Sequence, residues 1–417
     1  MLALSLSVLL AALAPASADP VDAAAATART EYEWFHAHPE LSKREVETSK
    51  HLADALRGLG MEVHEGIGGT GIVAILKGKG PGPTVLYRAD MDGLPVTEHT
   101  ALPYASQNPG VMHACGHDIH MATAVGALSV LAATRDTWSG TVMFVGQPAE
   151  ELGAGAKAMV ADRAFKRLLK KHGTPRLAVA LHDAADLPAG EVSIIEGPHH
   201  ANVDSVDIIV HGKGGHGARP HETIDPIVIG SEIVMALQTI VSRRIRPDEK
   251  AVVTVGKFDA GTKHNIIPPS ATLLLTVRSY GPKTRKVLLE EIERIAKQIA
   301  KAHRAPKPPE VKTGDGLPSC DNDPTWTRTV RAAFEKELGA DKVKRHEPSL
   351  GGEDFGVFGT ALGIPAIMWK LGAVEPKAWK KGKDLPGLHS DAWAPDPDLT
   401  LRTGIRTVLA AIEAGLR

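Results

Sequence analysis

The chain reads Val-Met-His-Ala-Cys-Gly-His-Asp-Ile-His over residues 111–120 and, one predicted helix and one predicted strand later, Gln-Pro-Ala-Glu-Glu over residues 147–151. Cys115 and His117 lie two residues apart, and a thiol with an imidazole suits zinc-like ions. Of the two adjacent carboxylates, Glu150 and Glu151, one can bind metal while the other transfers protons. Taken alone, Cys-Gly-His fits a metal site and a buried cysteine beside a helix-capping histidine equally well.

Four predicted strands lead to residues that can bind a metal, and these strands decide between the two interpretations. The apolar runs, each with the donors that follow it, are 84–87 with Asp90 and Asp92, 141–145 with Glu150 and Glu151, 177–181 with His182 and Asp183, and 364–369 with His389. In an open α/β sheet, ligands bind outside the carboxyl ends of the strands, so these donors point to one cleft. Predicted helices over 117–133 and 155–172 alternate with the strands, as a mostly parallel sheet requires. The pattern favours the metal site.

From about residue 195 the pattern becomes that of a small separate unit. A strand over 203–210, a helix over 225–243, strands over 251–258 and 271–280, a helix over 282–303 and an edge strand over 309–312 follow one another. This β-α-β-β-α-β order is the ferredoxin-like split unit. We therefore predict an α/β fold in which a mostly parallel-sheet metallohydrolase domain, residues 19–194 and 313–417, carries an inserted domain over 195–312 that serves for dimerisation or as a lid. A Pro-rich linker over 305–309 marks the exit of the insert.

The amino-terminal part of the chain predicts an export signal and two helices. Residues 1–18 form an apolar run that ends in Ala-Ser-Ala before Asp19, which is typical of a cleaved signal peptide, although no Lys or Arg precedes the run. The run is too short for a permanent membrane anchor, so we expect a periplasmic or secreted protein. An Ala-rich helix is predicted over 21–36, and the capping-box sequence Ser42-Lys-Arg-Glu45 predicts the start of a second helix.

Composition limits the size and the partners of the protein. A chain of 417 residues exceeds one ordinary hydrophobic core, so two domains are expected. The 48 basic and 49 acidic residues give a net charge of -1, which argues against a nucleic acid or an anionic membrane held by bulk charge. A small-molecule substrate fits better. The two cysteines, Cys115 and Cys320, could form a disulfide after export, but a thiolate bound to metal would be withheld from oxidation.

Eight short motifs occur in one order along nearly the whole chain after residue 18. They are His38-Pro-Glu-Leu, Arg88-Ala-Asp-Met-Asp-Gly-Leu-Pro, Met112-His-Ala-Cys-Gly-His-Asp, Gln147-Pro-Ala-Glu-Glu, Gly212-Lys-Gly-Gly-His-Gly-Ala-Arg-Pro-His, Asn265-Ile-Ile-Pro, Gly352-Glu-Asp-Phe and Leu388-His-Ser. Together they resemble the dinuclear-metal amidohydrolases, a group of N-acyl-amino-acid deacylases, hippurate hydrolases and auxin-conjugate hydrolases within a metallopeptidase superfamily that carries an inserted dimerisation domain.

The resemblance implies a role for each matching residue. The implied ligands of two divalent ions per subunit, Zn, Mn or Co, are Cys115, His117, Glu151, His182 and His389. Glu150 is implied as the general base, and His216 of the inserted domain is implied to act in the active site of a partner subunit of a homodimer. Arg278, Asn265 and His264 fall where substrate-recognition groups are expected. The superfamily has a His where this chain has Arg88, so Arg88 and Asp90 are expected around the ligands rather than among them.

These residues suit hydrolysis of an amide bond. Two ions about 3.5 to 4 Å apart can share a water and polarise a carbonyl, and Glu150 would carry the proton to the leaving nitrogen. We therefore expect a hydrolase that cleaves N-acyl amino acids. A dipeptidase or aminopeptidase is the alternative, and it would need a pocket for a free amine. A metal-bearing binding protein without turnover would have little need for Glu150 beside Glu151.

The remaining histidines of these stretches are expected to have supporting roles. His113 and His120 are predicted to surround the ligands or to face solvent. His199 and His200 are predicted to be an exposed pair at the entry to the inserted domain.

Overall fold

The computed structural model describes residues 19–382 and 385–417, so the predicted signal peptide lies outside the described residues. Within those ranges the α-helices are α1 (Pro20–Ala37), α2 (Val46–Gly58), α3 (His117–Ala133), α4 (Gly155–Ala161), α5 (Arg163–His172), α6 (Pro226–Arg244), α7 (Pro282–Ala302), α8 (Pro324–Leu338), α9 (Gly356–Leu362), α10 (Pro376–Lys381) and α11 (Pro397–Leu416). The strands are β1 (Glu62–Ile67), β2 (Gly71–Lys77), β3 (Thr84–Asp90), β4 (Thr141–Gln147), β5 (Leu177–Pro188), β6 (Val192–Ser193), β7 (Gly197–His200), β8 (Asn202–His211), β9 (Gly215–His216), β10 (Ala251–Ala260), β11 (Ile266–Ile267), β12 (Ser270–Ser279), β13 (Glu310–Thr313), β14 (Cys320–Asn322), β15 (Val343–Lys344) and β16 (Ala366–Val374).

The larger sheet has the order β1-β2-β4-β3-β5-β16-β6-β15. Its four central strands, β4, β3, β5 and β16, pair in parallel with one another. They are the four strands whose carboxyl ends the sequence analysis connected with donor residues, and parallel pairing brings those ends to one edge of the sheet. The predicted mostly parallel α/β fold is confirmed.

Apolar side chains leave the central strands alternately on both faces, which is why these strands read as continuous hydrophobic runs. In β3, Val85 and Tyr87 belong to the core under α1, α3 and α11, whereas Leu86 belongs to the core on the opposite face. Each such side chain contributes about 1.5 to 3 kcal/mol when it is fully buried. The parallel strands are therefore held from both sides, and the loops at their ends have a rigid base.

The inserted segment forms a second sheet of order β10-β12-β8-β13, paired antiparallel throughout. Helices α6 and α7 contact each other and the sheet, which gives the β-α-β-β-α-β order expected for a ferredoxin-like unit. In the described part of the chain, α6 is the helix that is long and apolar enough to cross a membrane by length and composition. Its residues Ile229, Ile233, Leu237 and Ile240, at helical spacing, pack into the core of this unit instead.

Two local predictions were wrong. The predicted helix over 155–172 is two helices, because Asp162 adopts an extended conformation and its side chain accepts the Ala164 N–H, which starts α5 anew. Ser42 and Glu45 do not form a capping box. Glu45 caps no N–H of α2, and both side chains bind residues far along the chain that local sequence does not reveal.

Candidate metal centre

The Cys115–His117 segment is positioned by a sharp backbone turn at the start of α3. Gly116 has φ +74° and precedes the first residue of the helix, His117. A Cβ at Gly116 would overlap the carboxylate of Asp183, so glycine lets this turn approach β5 closely. The turn therefore brings Cys115 beside His182, which lies on β5.

The five predicted ligands converge. Cys115, His117 and His182 place one donor atom each within 4.8 Å of one another, and so do Cys115, Glu151 and His389. The Cys115 Sγ lies 3.6 Å from His182 Nε2 and 3.2 Å from His389 Nε2. Because Cys115 belongs to both groups, its sulfur stands between two sets of donors. This arrangement suits a pair of ions that share one ligand.

The hydrogen bonds of the imidazoles leave the inner nitrogens free for a cation. His117 Nδ1 donates to the backbone carbonyl of Asp92 (2.8 Å), and His182 Nδ1 donates to the carbonyl of Asp183 (2.8 Å). In the neutral form of each ring, Nε2 therefore carries the lone pair that can bind metal. His117 Nε2 and one carboxylate oxygen of Glu151 are buried without a hydrogen-bond partner among the described residues. The donor set and these atoms fit divalent metal ions.

His389 is held in an unusual backbone conformation. Its φ is +65°, in the left-handed region that non-glycine residues rarely adopt, and its N–H donates to the Ala114 carbonyl at 2.7 Å. Strain of this kind is maintained when the surroundings fix it, and it clusters at functional sites. The side chain is 57% exposed and reaches Glu151 Oε1 at 3.5 Å, so it closes the centre on the solvent side.

Glu150 lies in a field of buried charge. Burial raises the pKa of its carboxyl group well above the usual value, and the nearby Glu353 and Asp354 raise it further, while His117 and Arg88 lower it. A carboxylate with a raised pKa is suited to accept and return a proton near neutral pH. Glu150 therefore has the electrostatic character expected of a general base.

Arg88 is the centre of this charge cluster. It is fully buried and donates to Gln147 at 2.8 Å, to Asp90 at 2.6 Å and to Glu353 at 2.8 Å. Its charge lowers the pKa of Asp354, but burial dominates and raises that pKa to about 7. Sequence reasoning placed Arg88 near the ligands without revealing this network of buried contacts.

A cleft of about 430 Å³ opens at the centre. Glu150, Glu151 and His389 line it on one side, and Arg278 and Asp315 belong to its lining as well. The Arg278 Nε donates to Thr276 Oγ1 at 3.0 Å, and the pKa of its guanidinium is lowered by burial alone. Arg278 thus brings a positive charge to the space beside the candidate base.

The three other predicted residues lie elsewhere on the inserted unit. His216 is exposed on β9, which pairs with β11, and the Gly217 N–H donates to the Asn265 carbonyl at 2.8 Å. His264 is exposed beside them. None of His216, His264 and Asn265 lines the cleft within the part of the chain that the structure describes. His216 Nδ1 accepts the Ala218 N–H at 3.0 Å, so the neutral ring presents an Nε2–H donor.

His120 is buried between Asp90, 2.5 Å from Nδ1, and the Asp183 N–H, which donates to its Nε2 at 2.9 Å. It therefore surrounds the ligands, which is one of the two positions predicted for it. Other residues differ from what their sequence context indicated. His199 is fully buried, which contradicts the predicted exposed pair, because its ring packs against the rings of His200 and His346. Cys115 and Cys320 are both free and buried, so the two cysteines form no disulfide.

A parallel sheet with metal-binding side chains, a partly buried carboxylate with a raised pKa and a cleft at its carboxyl edge defines a metal-dependent hydrolase. Residues 86–385 match peptidase family M20/M25/M40, and the chain belongs to this family. The resemblance inferred from the motifs is thereby confirmed, and amide-bond hydrolysis is the chemistry of the family.

The curated relatives and solved structures of this chain include deacetylases and peptidases. It is 38% identical to the N-acetylcysteine deacetylase of Bacillus subtilis over 346 residues, which cover 83% of this chain and 88% of the relative. It is 38% identical over 383 residues to thermostable carboxypeptidase 1 of Saccharolobus solfataricus, which cover 91% and 93%. The Bacillus subtilis YXEP protein, described as a dinuclear metal binding peptidase from the M20 family, matches with a TM-score of 0.79 and 33% identity over 95% of this chain and 99% of that one.

Proposed function

We propose that the protein hydrolyses the amide bond of N-acyl amino acids, releasing a carboxylic acid and a free amino acid. The observation that carries the proposal is the cleft that places the candidate base Glu150 beside the candidate ligands and Arg278 in its wall. A carboxylate of the substrate can bind Arg278 while its amide bond lies beside Glu150. The N-acetylcysteine deacetylase among the relatives acts on a molecule of this kind.

The proposed ligands are Cys115, His117, Glu151, His182 and His389, and the proposed ions are Zn, Mn or Co. When bound, such ions would supply Lewis acidity that activates water and polarises the scissile carbonyl. Burial raises the pKa of the Cys115 thiol, and ligation would offset this by favouring the thiolate.

The protein groups then have distinct tasks. Glu150 accepts a proton from the attacking water and returns it to the leaving nitrogen. Arg278 orients the substrate by a two-pronged bond to its carboxylate. An oxyanion needs a further donor, and we assign this role to the Nε2–H of the partner subunit's His216.

Glutamine substitutions of the two adjacent glutamates test whether Glu150 is the general base and Glu151 a metal ligand. Glu150→Gln is expected to keep its metal content while kcat falls by roughly 10² to 10⁴, the usual contribution of general acid-base catalysis. Glu151→Gln is expected to lose metal. Metal content by mass spectrometry and kcat by product release distinguish the two, and exchanged phenotypes would overturn the assignment.

Peptide hydrolysis is the second candidate, and two observations favour it. One relative is a thermostable carboxypeptidase, and Asp315 in the cleft lining could bind a free amine. A panel of N-acetyl amino acids, N-benzoyl amino acids and dipeptides with the same terminal residue separates the candidates. Activity confined to the dipeptides would replace deacylation by peptidase activity, and no turnover in metal-loaded protein would favour a binding role.

We also propose a homodimer that is exported. Val228 and Met235 on α6 are 52% and 71% exposed, and Ile266 on β11 is 49% exposed, which gives the inserted unit an apolar surface suited to a second copy. Export rests on the amino-terminal sequence alone. A mature chain that begins at Asp19 in the secreted or periplasmic fraction, measured by intact mass, is the expected outcome.

A further inference from the structure

The turn that carries Glu150 and Glu151 is a strained one. Ala149, immediately after β4 and Pro148, is buried and has φ +49°, in the left-handed region that alanine rarely adopts. Its carbonyl accepts N–H groups from Ala154 and Gly155, both at 3.2 Å, which closes the turn behind the two glutamates. A non-glycine residue stays in this conformation only when surrounding groups fix it.

Two buried carboxylates from other parts of the chain bind three consecutive N–H groups of this turn. The Ala149 N–H donates to Glu45 Oε1 at 2.8 Å. The Glu150 N–H donates to Asp92 Oδ1 and the Glu151 N–H to Asp92 Oδ2, both at 3.1 Å. Hydrogen bonds to ionised acceptors are roughly twice as strong as neutral ones, and three in a row fix both the position and the orientation of the segment.

Further contacts hold the two carboxylates themselves. Ser42 Oγ donates to Asp92 Oδ2 at 2.6 Å, and Thr70 Oγ1 donates to Glu45 Oε2 at 2.5 Å. Asp92 also has a second connection to the centre, because its backbone carbonyl accepts the His117 Nδ1–H. One residue therefore sets the positions of a candidate ligand and of the candidate base together.

We infer that Asp92 and Glu45 are positioning residues that hold the Glu150–Glu151 turn in its catalytic conformation. They act through the backbone N–H groups of the turn, and nothing in the inference requires them to touch the substrate. The inference rests on the proposed role of Glu150. A displacement of about 1 Å at a reacting group can cost about 100-fold in rate, so loss of either carboxylate should lower kcat more than it changes KM.

Asp92→Asn tests the inference in the full-length, metal-loaded enzyme. The Asn side chain keeps one acceptor oxygen but turns an NH₂ group toward the second N–H of the turn. We expect kcat to fall about 100-fold while KM stays within about threefold, because the cleft wall is unchanged. The matched control is Asp162→Asn, because the Asp162 carboxylate also accepts two backbone N–H groups, of Gly68 and Ala164, but does not line the cleft. This variant should leave kcat within about threefold.

Glu45→Leu provides a second variant that acts on the same turn from the other side. If both carboxylates hold one structural unit, the loss of kcat in Asp92→Asn/Glu45→Leu will be clearly smaller than the product of the two single losses. If the two substitutions acted independently, the loss of kcat in the double variant would equal the product of the two single losses. Should Glu45→Leu fail to fold, as judged by its thermal unfolding, Glu45→Gln takes its place in the cycle.

The outcomes separate this inference from the proposed function. If Glu150→Gln is inactive while Asp92→Asn keeps the wild-type kcat, the positioning role is wrong and the proposed function stands. If Glu150→Gln keeps activity, the proposed function fails first. A fall of kcat in Asp92→Asn that only matches a loss of bound metal would also overturn the positioning role, since Asp92 would then act through His117 alone.

Discussion

Arg278 supplies a permanent positive charge to the lining of the cleft. A substrate without a carboxylate tests whether this charge binds the carboxylate of an N-acyl amino acid. Arg278→Ala is expected to lower kcat/KM for an N-acetyl amino acid by about 100-fold, the equivalent of one or two charge-assisted hydrogen bonds. The matching N-acetyl amino amide, which has no carboxylate, should lose less than about threefold. Equal losses for both substrates would show that Arg278 does not bind the carboxylate.

Arg278→Lys is the matched control at the same position. Lysine keeps the charge but not the planar fork of the guanidinium, so an intermediate loss of about tenfold is expected for the acid.

At the scale of elements, an ion pair between His36 and Asp118 connects α1 with α3. Its Nδ1 lies 2.6 Å from Asp118 and its Nε2 lies 3.1 Å from Glu98. Burial lowers the pKa of His36, but the hydrogen bonds to Asp118 and Glu98 outweigh burial and raise it from 6.5 to about 9. The folded protein therefore holds this proton more tightly than the unfolded chain does.

The pKa shift predicts a stability change with pH. Because the folded pKa lies above the unfolded one, the contribution of His36 is fully present below pH 6.5 and is lost as the pH rises through about 9. The wild type should lose about 3 kcal/mol of unfolding free energy over that window beyond any loss seen in His36→Gln. Urea unfolding at several pH values measures this.

The junction of α3 with β5 depends on the glycine between the candidate ligands. Gly116→Ala would place a Cβ against the Asp183 carboxylate and force alanine into a left-handed conformation. We expect a loss of about 2 to 5 kcal/mol in unfolding free energy, together with weaker metal binding. Gly110 has a similar φ of +77° with nothing within 4 Å of an added Cβ, so Gly110→Ala isolates the backbone cost of about 1 kcal/mol. Equal losses in both variants would show that the contact with Asp183 is unimportant.

At the scale of the whole molecule, the position of His216 implies a site completed by a second chain. His216 is exposed and does not line the described cleft, whereas Glu150 does. Co-expression of Glu150→Gln with His216→Ala is expected to restore activity, because one site of each mixed dimer then contains both wild-type groups. With random pairing about half the dimers are mixed, so about one site in four should work.

The subunits must be shown to mix before the result is interpreted. Differently tagged chains purified in two steps provide this control. Mixed dimers no more active than either parent would place the action of His216 within its own chain or exclude it from the reaction.

The sequence by itself determined most of the elements, and its resemblance to a known family implied the candidate ligands. The apolar runs at 84–87, 141–145 and 177–181 predicted parallel strands that the structure contains, and donors at their ends predicted a shared edge. These features are local, because burial on both faces of a strand and the position of a residue just past its end are visible in a short segment. The inserted unit was predicted for the same reason, since its alternation and helical spacing are also local.

Only the tertiary structure decided which residues support the centre. Glu45 was interpreted as part of a capping box because the pattern is local, but its carboxylate binds the N–H of Ala149, 104 residues away. His199 was predicted to form an exposed pair with His200, yet its ring is buried against His200 and His346. A buried polar group is almost always hydrogen-bonded, and its partner is a group that is close in space. That partner can lie at any distance along the chain, so a local sequence pattern does not identify it. The candidate metal ligands can therefore be predicted from sequence, because they lie at or near the ends of predicted strands and helices. The residues that hold those ligands in place can be identified only in the folded chain.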